Sequence, residues 1–251
     1  MTLTPGMLNG KTILITGASG GIGAATARVA HREGAVVVVH YGSNRASAES
    51  LSAELGDGRV HLVQGDLANP AETKRVWEDS VRAVGHLDVL VNNAGAYIPT
   101  PMDDDDAWRE GWERNVALNI IAPADLTRYA IRHFQERNGG IIVNVASRSS
   151  HRGDNPGYFG YGAAKGALLS LSRGVARGYA KDGVLSYAVA PAWVATSLTG
   201  KPVTAEAAAA LPLGEVIPPE DVAETIAFLA SGRARHTTGT TVDITGADYV
   251  R

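Results

Sequence analysis

The stretch "TILITGASGGIGAATARVA", residues 12–30, decides how this chain folds. Its first five residues are apolar and rich in β-branched side chains, which predicts a buried strand, and a helical pattern follows. Gly17, Gly21 and Gly23 lie between the two in the spacing G-x-x-x-G-x-G. Such glycines allow a tight turn and let a pyrophosphate approach the free N–H groups at the start of the helix. We therefore expect a nucleotide-binding turn; a glycine-rich turn that binds nothing is the plainer alternative.

The same turn also fits a different chemistry. "GASGG", residues 17–21, matches G-x-S-x-G, the nucleophile elbow of α/β-hydrolases, in which Ser19 would be the nucleophile. His236 follows in the chain order that its base would need. However, only 18 residues precede Ser19, which leaves room for one strand where that elbow normally follows several. A hydrolase is therefore the less favoured alternative.

Outward from this turn, short apolar runs alternate with longer helical patterns along the whole chain. The runs lie at 12–16, 35–41, 60–64, 87–92, 140–146, 185–190 and 240–245. Several are apolar at consecutive positions, which is typical of parallel strands covered on both faces. Strand–helix alternation predicts an α/β fold, a parallel sheet with helices on both faces, in a single domain over residues 1–251. Residues 199–214 interrupt the alternation, and we expect a flexible flap over a substrate site there.

Composition excludes several classes of protein. The chain of 251 residues is 45% hydrophobic and 20% charged, and its formal net charge of −3 predicts neither a nucleic-acid nor a membrane-surface partner. The absence of cysteine excludes disulfides, thiolate nucleophiles and zinc–thiolate sites. No apolar stretch approaches the ~20 residues that span a bilayer, and residues 1–12 do not resemble a signal peptide. We expect a cytoplasmic protein.

Four further motifs follow the glycine turn. "DVLVNNAG", residues 88–95, ends a strand with polar residues, where open α/β sheets bind ligands, although an Asx turn would explain it too. Asn115 lies inside a helical pattern, although asparagine has a low helix propensity. The strand "GIIVNVAS" ends at Ser147, and Tyr161 and Lys165 follow in "YGAAK".

Together these motifs resemble the short-chain dehydrogenase/reductase family, in order and spacing, over essentially the whole chain. The resemblance implies a doubly wound Rossmann-type sheet of about seven parallel strands, and NAD(P)-dependent interconversion of a secondary alcohol and a carbonyl. It implies a homotetramer or homodimer. It also implies that Tyr161 transfers the proton, Ser147 orients the substrate oxygen, Lys165 lowers the phenol pKa and binds the ribose, and Asn115 holds a linking water.

Elementary electrostatics agrees with a tyrosine–lysine pair. A free phenol has a pKa of about 10, and lowering it toward ~7 requires about 4 kcal/mol of phenolate stabilisation. Lys165, one helical turn beyond Tyr161, lies on the same face and can supply much of that. A surface tyrosine beside a solvated lysine is the plainer alternative. Tyr158 is a competing phenol one turn further away, and we assign it to the substrate pocket.

The end of the second strand favours NADP(H) over NAD(H). Tyr41 occupies the place where NAD-preferring relatives carry an acid, while Ser43 and Arg45 can donate to a 2′-phosphate. Gly20 favours NAD(H) instead, because many NADP-preferring relatives have a basic residue at this position. The residues expected to contact the cofactor are Gly17, Ser19, Gly21, Ile22, Gly23, Tyr41, Ser43, Asn44, Arg45, Asp66, Leu67, Asn93, Ala94, Gly95, Tyr161, Lys165, Pro191, Val194 and Thr196.

The substrate is not determined by the sequence. We expect the pocket to include Arg148, His151, Tyr158 and Trp193, of which the arginine favours an anionic substrate and the aromatic residues an apolar one. No metal site is expected, because the acids at 103–106 suit a helix N-terminus. A cofactor-binding sensor or scaffold without catalysis remains the alternative function, although the intact Ser-Tyr-Lys set favours an enzyme.

Overall fold

The computed structural model describes residues 6–56, 58–198 and 203–251. Its strands are β1 (Thr12–Ile15), β2 (Val36–Tyr41), β3 (Val60–Gln64), β4 (Val89–Asn92), β5 (Gly140–Val145), β6 (Val184–Pro191) and β7 (Thr241–Ile244). Its α-helices are α1 (Gly21–Arg32), α2 (Arg45–Leu55), α3 (Pro70–Val84), α4 (Asp105–Val116), α5 (Ala122–Gln135), α6 (Ser149–Arg152), α7 (Phe159–Tyr179), α8 (Ala205–Ala209) and α9 (Pro219–Ala230). A π-helical segment, Ala117–Ile121, and 3₁₀ turns at Ala180–Asp182 and Arg235–Thr237 complete these elements.

In the described chain, one sheet holds all seven strands, in the order β3-β2-β1-β4-β5-β6-β7. Every neighbouring pair is parallel. This confirms the doubly wound Rossmann-type fold. The chain leaves β1 toward β2 on one side and returns to β4 on the other, so a crevice opens at their carboxyl ends.

The two faces of the sheet are covered by different helices. Residues of α1, α2 and α9 pack with one set of strand side chains, and residues of α3, α5 and α7 pack with the other. Strand β6 is buried along its whole length. Burial on both faces explains why the strands are apolar at consecutive positions.

Polar side chains begin several helices as the sequence indicates. The Asn69 side chain accepts from the backbone N–H of Ala71 at 2.9 Å, at the start of α3. Asp104 accepts from that of Ala107 at 2.9 Å, so the run of acids at 103–106 lies at the N-terminus of α4. Among the described residues, no three His, Cys, Asp or Glu side chains come together in a way that would hold a metal ion.

The segment predicted to be a flap lies only partly in the described chain. Residues 199–202 lie outside the described residues, and 203–214 contain α8. Val203, Thr204 and Ala207 line the large cavity described below, so this segment borders the site. Its flexibility stays a prediction. No helix in the described ranges is long and apolar enough to cross a membrane.

Candidate active site

A cavity of about 1590 Å³ opens at the carboxyl ends of the strands. It brings together most of the residues predicted to bind the cofactor: Gly17, Ser19, Gly21, Ile22, Ser43, Asn44, Asp66, Leu67, Asn93, Ala94, Gly95, Pro191, Val194 and Thr196, with Tyr161 and Lys165. The predicted pocket residues Arg148, Tyr158 and Trp193 line the same cavity.

The glycine turn has the shape that a pyrophosphate needs. Gly17 and Gly21 have φ of +64° and +51°, in the left-handed region that favours glycine. A Cβ on Gly23 would lie 2.4 Å from the carbonyl oxygen of Gly17, which explains a third glycine that does not line the cavity. Gly20 provides no side-chain cap for α1, so the first N–H groups of this helix can bind an anion. The turn therefore fits a dinucleotide.

Two polar side chains hold this turn against its neighbours. Asn93 Nδ2 donates to the carbonyl oxygens of Thr16 and Gly17 at 2.8 and 3.2 Å. His40, which the sequence analysis did not single out, accepts from the N–H of Gly17 at its Nδ1 (3.1 Å), and its Nε2 lies 3.0 Å from the carbonyl oxygen of Gly65. Burial lowers the pKa of His40 to about 4, so the ring is neutral. A neutral ring can accept at one nitrogen and donate at the other.

Two residues predicted at the adenosine end lie elsewhere. Tyr41 is 5% exposed and packs in the core, while Gly42 and Ser43 line the cavity. Arg45 does not line it either, because its Nε donates to Glu49 at 2.7 Å on the exposed face of α2. Successive side chains of a strand point to opposite faces of the sheet. Because the His40 side chain points toward the cavity, that of the next residue, Tyr41, points into the core.

Ser147, Tyr161 and Lys165 converge in the cavity. Ser147 follows β5, whereas the other two lie in the first turns of α7. The Ser147 side chain lies beside Tyr161 and favours the ionised form of its phenol. Lys165 Nζ donates to the carbonyl oxygen of Val145 at 2.8 Å and lies 5.9 Å from the centroid of the Tyr161 ring.

The pKa of Tyr161 shifts upward, whereas its spacing from Lys165 predicts a lowering. Burial raises the pKa of Tyr161 to about 12, partly opposed by the neighbouring Ser147 side chain, which favours the phenolate. Burial likewise lowers the pKa of Lys165 to about 8. Desolvation therefore outweighs the attraction of the Lys165 ammonium, which donates to Val145, and a lowered phenol pKa during catalysis stays a prediction. At neutral pH the tyrosine therefore carries its proton.

Asn115 is fully buried and lies behind the cavity wall. Its Nδ2 donates to the carbonyl oxygens of Ile98 and Gly111 at 2.9 and 2.8 Å, and its Oδ1 accepts from Asn119. Asn119, in the π-helical segment, also bonds both backbone groups of Ala96. The pair thus fixes the loop after β4, and the water expected at Asn115 stays a prediction. π-Helical segments are frequent at functional sites, but no sequence signal marked this one.

The remaining wall contains aromatic and charged residues. Tyr97 stacks on Tyr158 with ring centroids 3.9 Å apart, and neither Tyr97 nor Asp154, which also line the cavity, was predicted there. His151, by contrast, lies outside the cavity lining, stacked on Tyr249 and 3.5 Å from Asp243. Its predicted place in the substrate pocket is therefore not supported.

Fold and site together define a nucleotide-binding α/β protein, and comparison with known proteins narrows the class. The family model described as "Enoyl-(Acyl carrier protein) reductase" matches residues 17–246. The chain belongs to the short-chain dehydrogenase/reductase family, whose members are oxidoreductases that use a nucleotide cofactor.

The relatives match 95% of the chain and nearly all of their own length. Nodulation protein G of a Rhizobium species is 35% identical over 245 residues, 95% of this chain and 97% of the relative. The 3-oxoacyl-[acyl-carrier-protein] reductase FabG of Rickettsia felis is 36% identical over 245 residues, with the same coverage. Among solved structures, 3-ketoacyl-(acyl-carrier-protein) reductase from Brucella melitensis complexed with NADH superposes with a TM-score of 0.86 at 30% identity, covering 97% of this chain and 100% of that one.

Proposed function

We propose that this chain is an NADP(H)-dependent oxidoreductase that interconverts a secondary alcohol and a carbonyl, with Tyr161 as proton donor and acceptor. One observation carries the proposal: Ser147, Tyr161 and Lys165 line the same cavity as a glycine turn suited to a pyrophosphate. Family membership supports it, because the family consists of oxidoreductases.

The residues of the chain have separate tasks in this chemistry. The glycine turn would hold the pyrophosphate of the cofactor, whose nicotinamide would supply or accept the hydride. Tyr161, protonated at neutral pH, donates its proton to the substrate oxygen during reduction and takes it back during oxidation. Ser147 hydrogen-bonds and orients that oxygen. Lys165 stabilises the phenolate that Tyr161 becomes, because its ammonium is a buried cation close to the ring.

The preference for NADP(H) is supported by the rim around the end of β2. Gly42, Ser43, Asn44 and Ser47 line the cavity there, and segment 41–47 contains no carboxylate that would repel a 2′-phosphate. Asn44 caps α2 through its side chain, so the positive end of this helix faces the same rim. Titration of NADPH and NADH against the protein tests the preference. Tighter binding of NADPH is expected, and tighter binding of NADH contradicts it.

Mutation of Tyr161 to Phe tests the catalytic assignment. We expect Tyr161→Phe to lose nearly all turnover while its melting temperature still rises with NADPH as in the wild type. Tyr158→Phe is the matched control, because it removes a phenol of the same cavity without removing the proposed acid. Turnover is measured with a panel of carbonyl compounds. The panel includes a 3-oxoacyl thioester, because several relatives are named as 3-oxoacyl-[acyl-carrier-protein] reductases. Turnover that survives in Tyr161→Phe contradicts the assignment.

The same assays separate the alternatives. Stabilisation by NADPH without turnover of any carbonyl would indicate a binding module, the sensor or scaffold considered above. Ester hydrolysis without cofactor would indicate a hydrolase at Ser19. The hydrolase is disfavoured because both ring nitrogens of His40, which lines the cavity with Ser19, contact backbone groups, and His236 is not among the lining residues.

Location and assembly remain parts of the proposal. A cytoplasmic enzyme is proposed from the sequence, and a homotetramer or homodimer is favoured by apolar side chains at the surface. Val116, Ile121 and Phe159 are 37%, 46% and 39% exposed and lie at or near the ends of α4, α5 and α7. Light scattering coupled to size exclusion measures the mass in solution, and a monomer would contradict this assembly.

A further inference from the structure

Two fully buried asparagines hold the loop that follows β4. Asn119 bonds both backbone groups of Ala96: its Oδ1 accepts from the N–H at 3.2 Å, and its Nδ2 donates to the carbonyl oxygen at 3.0 Å. Asn115 Nδ2 donates to the carbonyl oxygen of Ile98 at 2.9 Å. Asn119 Nδ2 also donates to Asn115 Oδ1 at 3.2 Å, so the two side chains act as one unit. This asparagine pair holds the backbone on both sides of Tyr97.

The Tyr97 ring, whose backbone is fixed in this way, lies against the proposed acid. Its centroid is 4.9 Å from that of the Tyr161 ring, and the two ring planes meet at 81°. On another side it stacks on Tyr158, and its hydroxyl donates to Asp154 at 3.0 Å. Because Tyr161 is buried, a shift of the ring packed against it would give the phenol room to turn. The position of Tyr97 therefore bears on the direction of the phenol.

Gly95 shows how closely the asparagine pair approaches Lys165. A Cβ on Gly95 would lie 2.7 Å from Asn119 Oδ1 and 3.2 Å from Lys165 Nζ. The loop thus passes between the two side chains where no further side chain fits. The hydrogen bonds of Asn119 are directed at the loop and at its fellow asparagine, whereas Lys165 Nζ donates to Val145. This difference favours an influence of Asn119 through the loop and Tyr97 over a direct influence on the lysine.

We infer that Asn119 is a positioning residue of the active site: with Asn115 it holds the Tyr97 ring against Tyr161, and so keeps the phenol directed at the substrate oxygen. Asn119 is not among the residues that line the cavity, so it acts through the loop rather than on the substrate. This inference rests on the proposed oxidoreductase function. It predicts that loss of Asn119 lowers kcat and leaves cofactor binding unchanged.

A double-mutant cycle of Asn119 and Tyr97 tests this dependence. With NADPH and the carbonyl compound of the panel that the wild type reduces fastest, kcat and KM are measured for Asn119→Ala, Tyr97→Ala and the double variant. We expect each single variant to lose kcat by about tenfold, since misplacement of a reacting group by 1 Å costs up to about 100-fold. Because Asn119 acts through Tyr97, the double variant should lose no more than the more affected single variant. Losses that multiply to about 100-fold refute the inference.

Three further variants control for other effects. Tyr97→Phe keeps the ring and loses only the bond to Asp154, so it should retain most of its kcat. Thr127→Ala removes a buried hydrogen bond on α5 away from the loop, and it should retain the wild-type kcat although it loses stability. Asn119→Ser keeps a hydroxyl that can bond the loop at one point only. It should give a smaller loss of kcat that disappears in the Tyr97→Ala background, and it replaces the alanine variant if that does not fold.

A second readout does not require turnover. Amide hydrogen exchange measured by mass spectrometry reports how firmly residues 95–99 are held. The N–H of Ala96, which bonds to Asn119, should exchange faster in Asn119→Ala than in the wild type and in Thr127→Ala. The rise in melting temperature with NADPH should be the same in all three proteins. Equal exchange in all three contradicts the inference.

Failure of this inference differs from failure of the proposed function. If the wild type reduces a carbonyl and Asn119→Ala retains its kcat, the positioning role is refuted while the oxidoreductase stands. If the wild type reduces no carbonyl, the proposed function fails and the effect on kcat fails with it. The exchange experiment then decides by itself whether Asn119 holds the loop.

Discussion

Replacement of Lys165 by Met should make the folded protein more stable while abolishing its activity. Lys165 is 4% exposed, and its Nζ donates to a backbone carbonyl oxygen, that of Val145. Burial lowers its pKa from 10.5 to about 8, so the folded state binds this proton less tightly than the unfolded chain does. A methionine of similar length fills the space without a charge.

The magnitude follows from proton linkage. A lowering of about 2.5 pKa units corresponds to about 3 kcal/mol of destabilisation at pH 7, at 1.36 kcal/mol per unit. Loss of the hydrogen bond to Val145 offsets about 1 kcal/mol. We therefore expect Lys165→Met to raise the free energy of unfolding at pH 7 by about 2 kcal/mol relative to the wild type.

The stability difference between Lys165→Met and the wild type should depend on pH. Between pH 8 and 10.5 the unfolded lysine keeps a proton that the folded one releases, so the wild type gains stability as the pH rises. The advantage of Lys165→Met should therefore shrink by about 1 kcal/mol between pH 7 and pH 9.

Urea denaturation of both proteins at the two pH values measures the difference directly. Lys181→Met, which replaces an exposed lysine, is the control and should show neither effect. A Lys165→Met variant less stable than the wild type at pH 7, or an advantage that does not shrink with pH, would refute the reasoning.

Three further predictions test other parts of the site. Gly23→Ala should abolish NADPH binding in a thermal-shift assay, because its Cβ would lie 2.4 Å from a backbone oxygen. Gly20→Ala, which has open space around its Cβ, should still bind NADPH. Equal binding by both variants contradicts the account of the turn. The wild type should lose stability as the pH falls from 6.5 to about 4, because the unfolded chain protonates its histidine before the folded protein protonates His40. In His40→Asn this part of the loss should be absent. An acid-unfolding profile that matches the wild type contradicts the prediction. Asp248→Ala frees Arg148 from its ion pair and should lower KM for anionic ketones such as a 2-oxo acid by a fewfold, and an unchanged KM would show that the pair does not control charge selectivity.

The architecture could be predicted from the sequence because it depends on local patterns. Consecutive apolar runs gave the parallel strands, and glycines in a strand-to-helix turn placed the nucleotide site at its end. Ser147, Tyr161 and Lys165 could be predicted together because their motifs resemble those of the family in order and spacing, and the spacing alone puts Tyr161 and Lys165 on one helix face. Their chemical roles stay predictions.

Other features of the site could not be predicted, because they depend on tertiary contacts. His40 lies in an apolar strand pattern, and its role appears only when Gly17 and Gly65 approach it from two other segments. Tyr97 and Asp154 are 57 positions apart and meet only in the folded cavity wall. Desolvation of Tyr161 likewise follows from packing, so spacing alone could not show that burial raises its pKa.

The central claim is that hydride and proton reach a substrate carbonyl from two defined sources in this cavity. Reduction of a ketone with NADPH carrying deuterium on the reactive carbon of the nicotinamide tests it most directly. We expect the wild type to yield an alcohol labelled at the former carbonyl carbon, and Tyr161→Phe to yield almost none while still binding NADPH. An unlabelled alcohol, or an equal yield of labelled alcohol from Tyr161→Phe, would contradict the account.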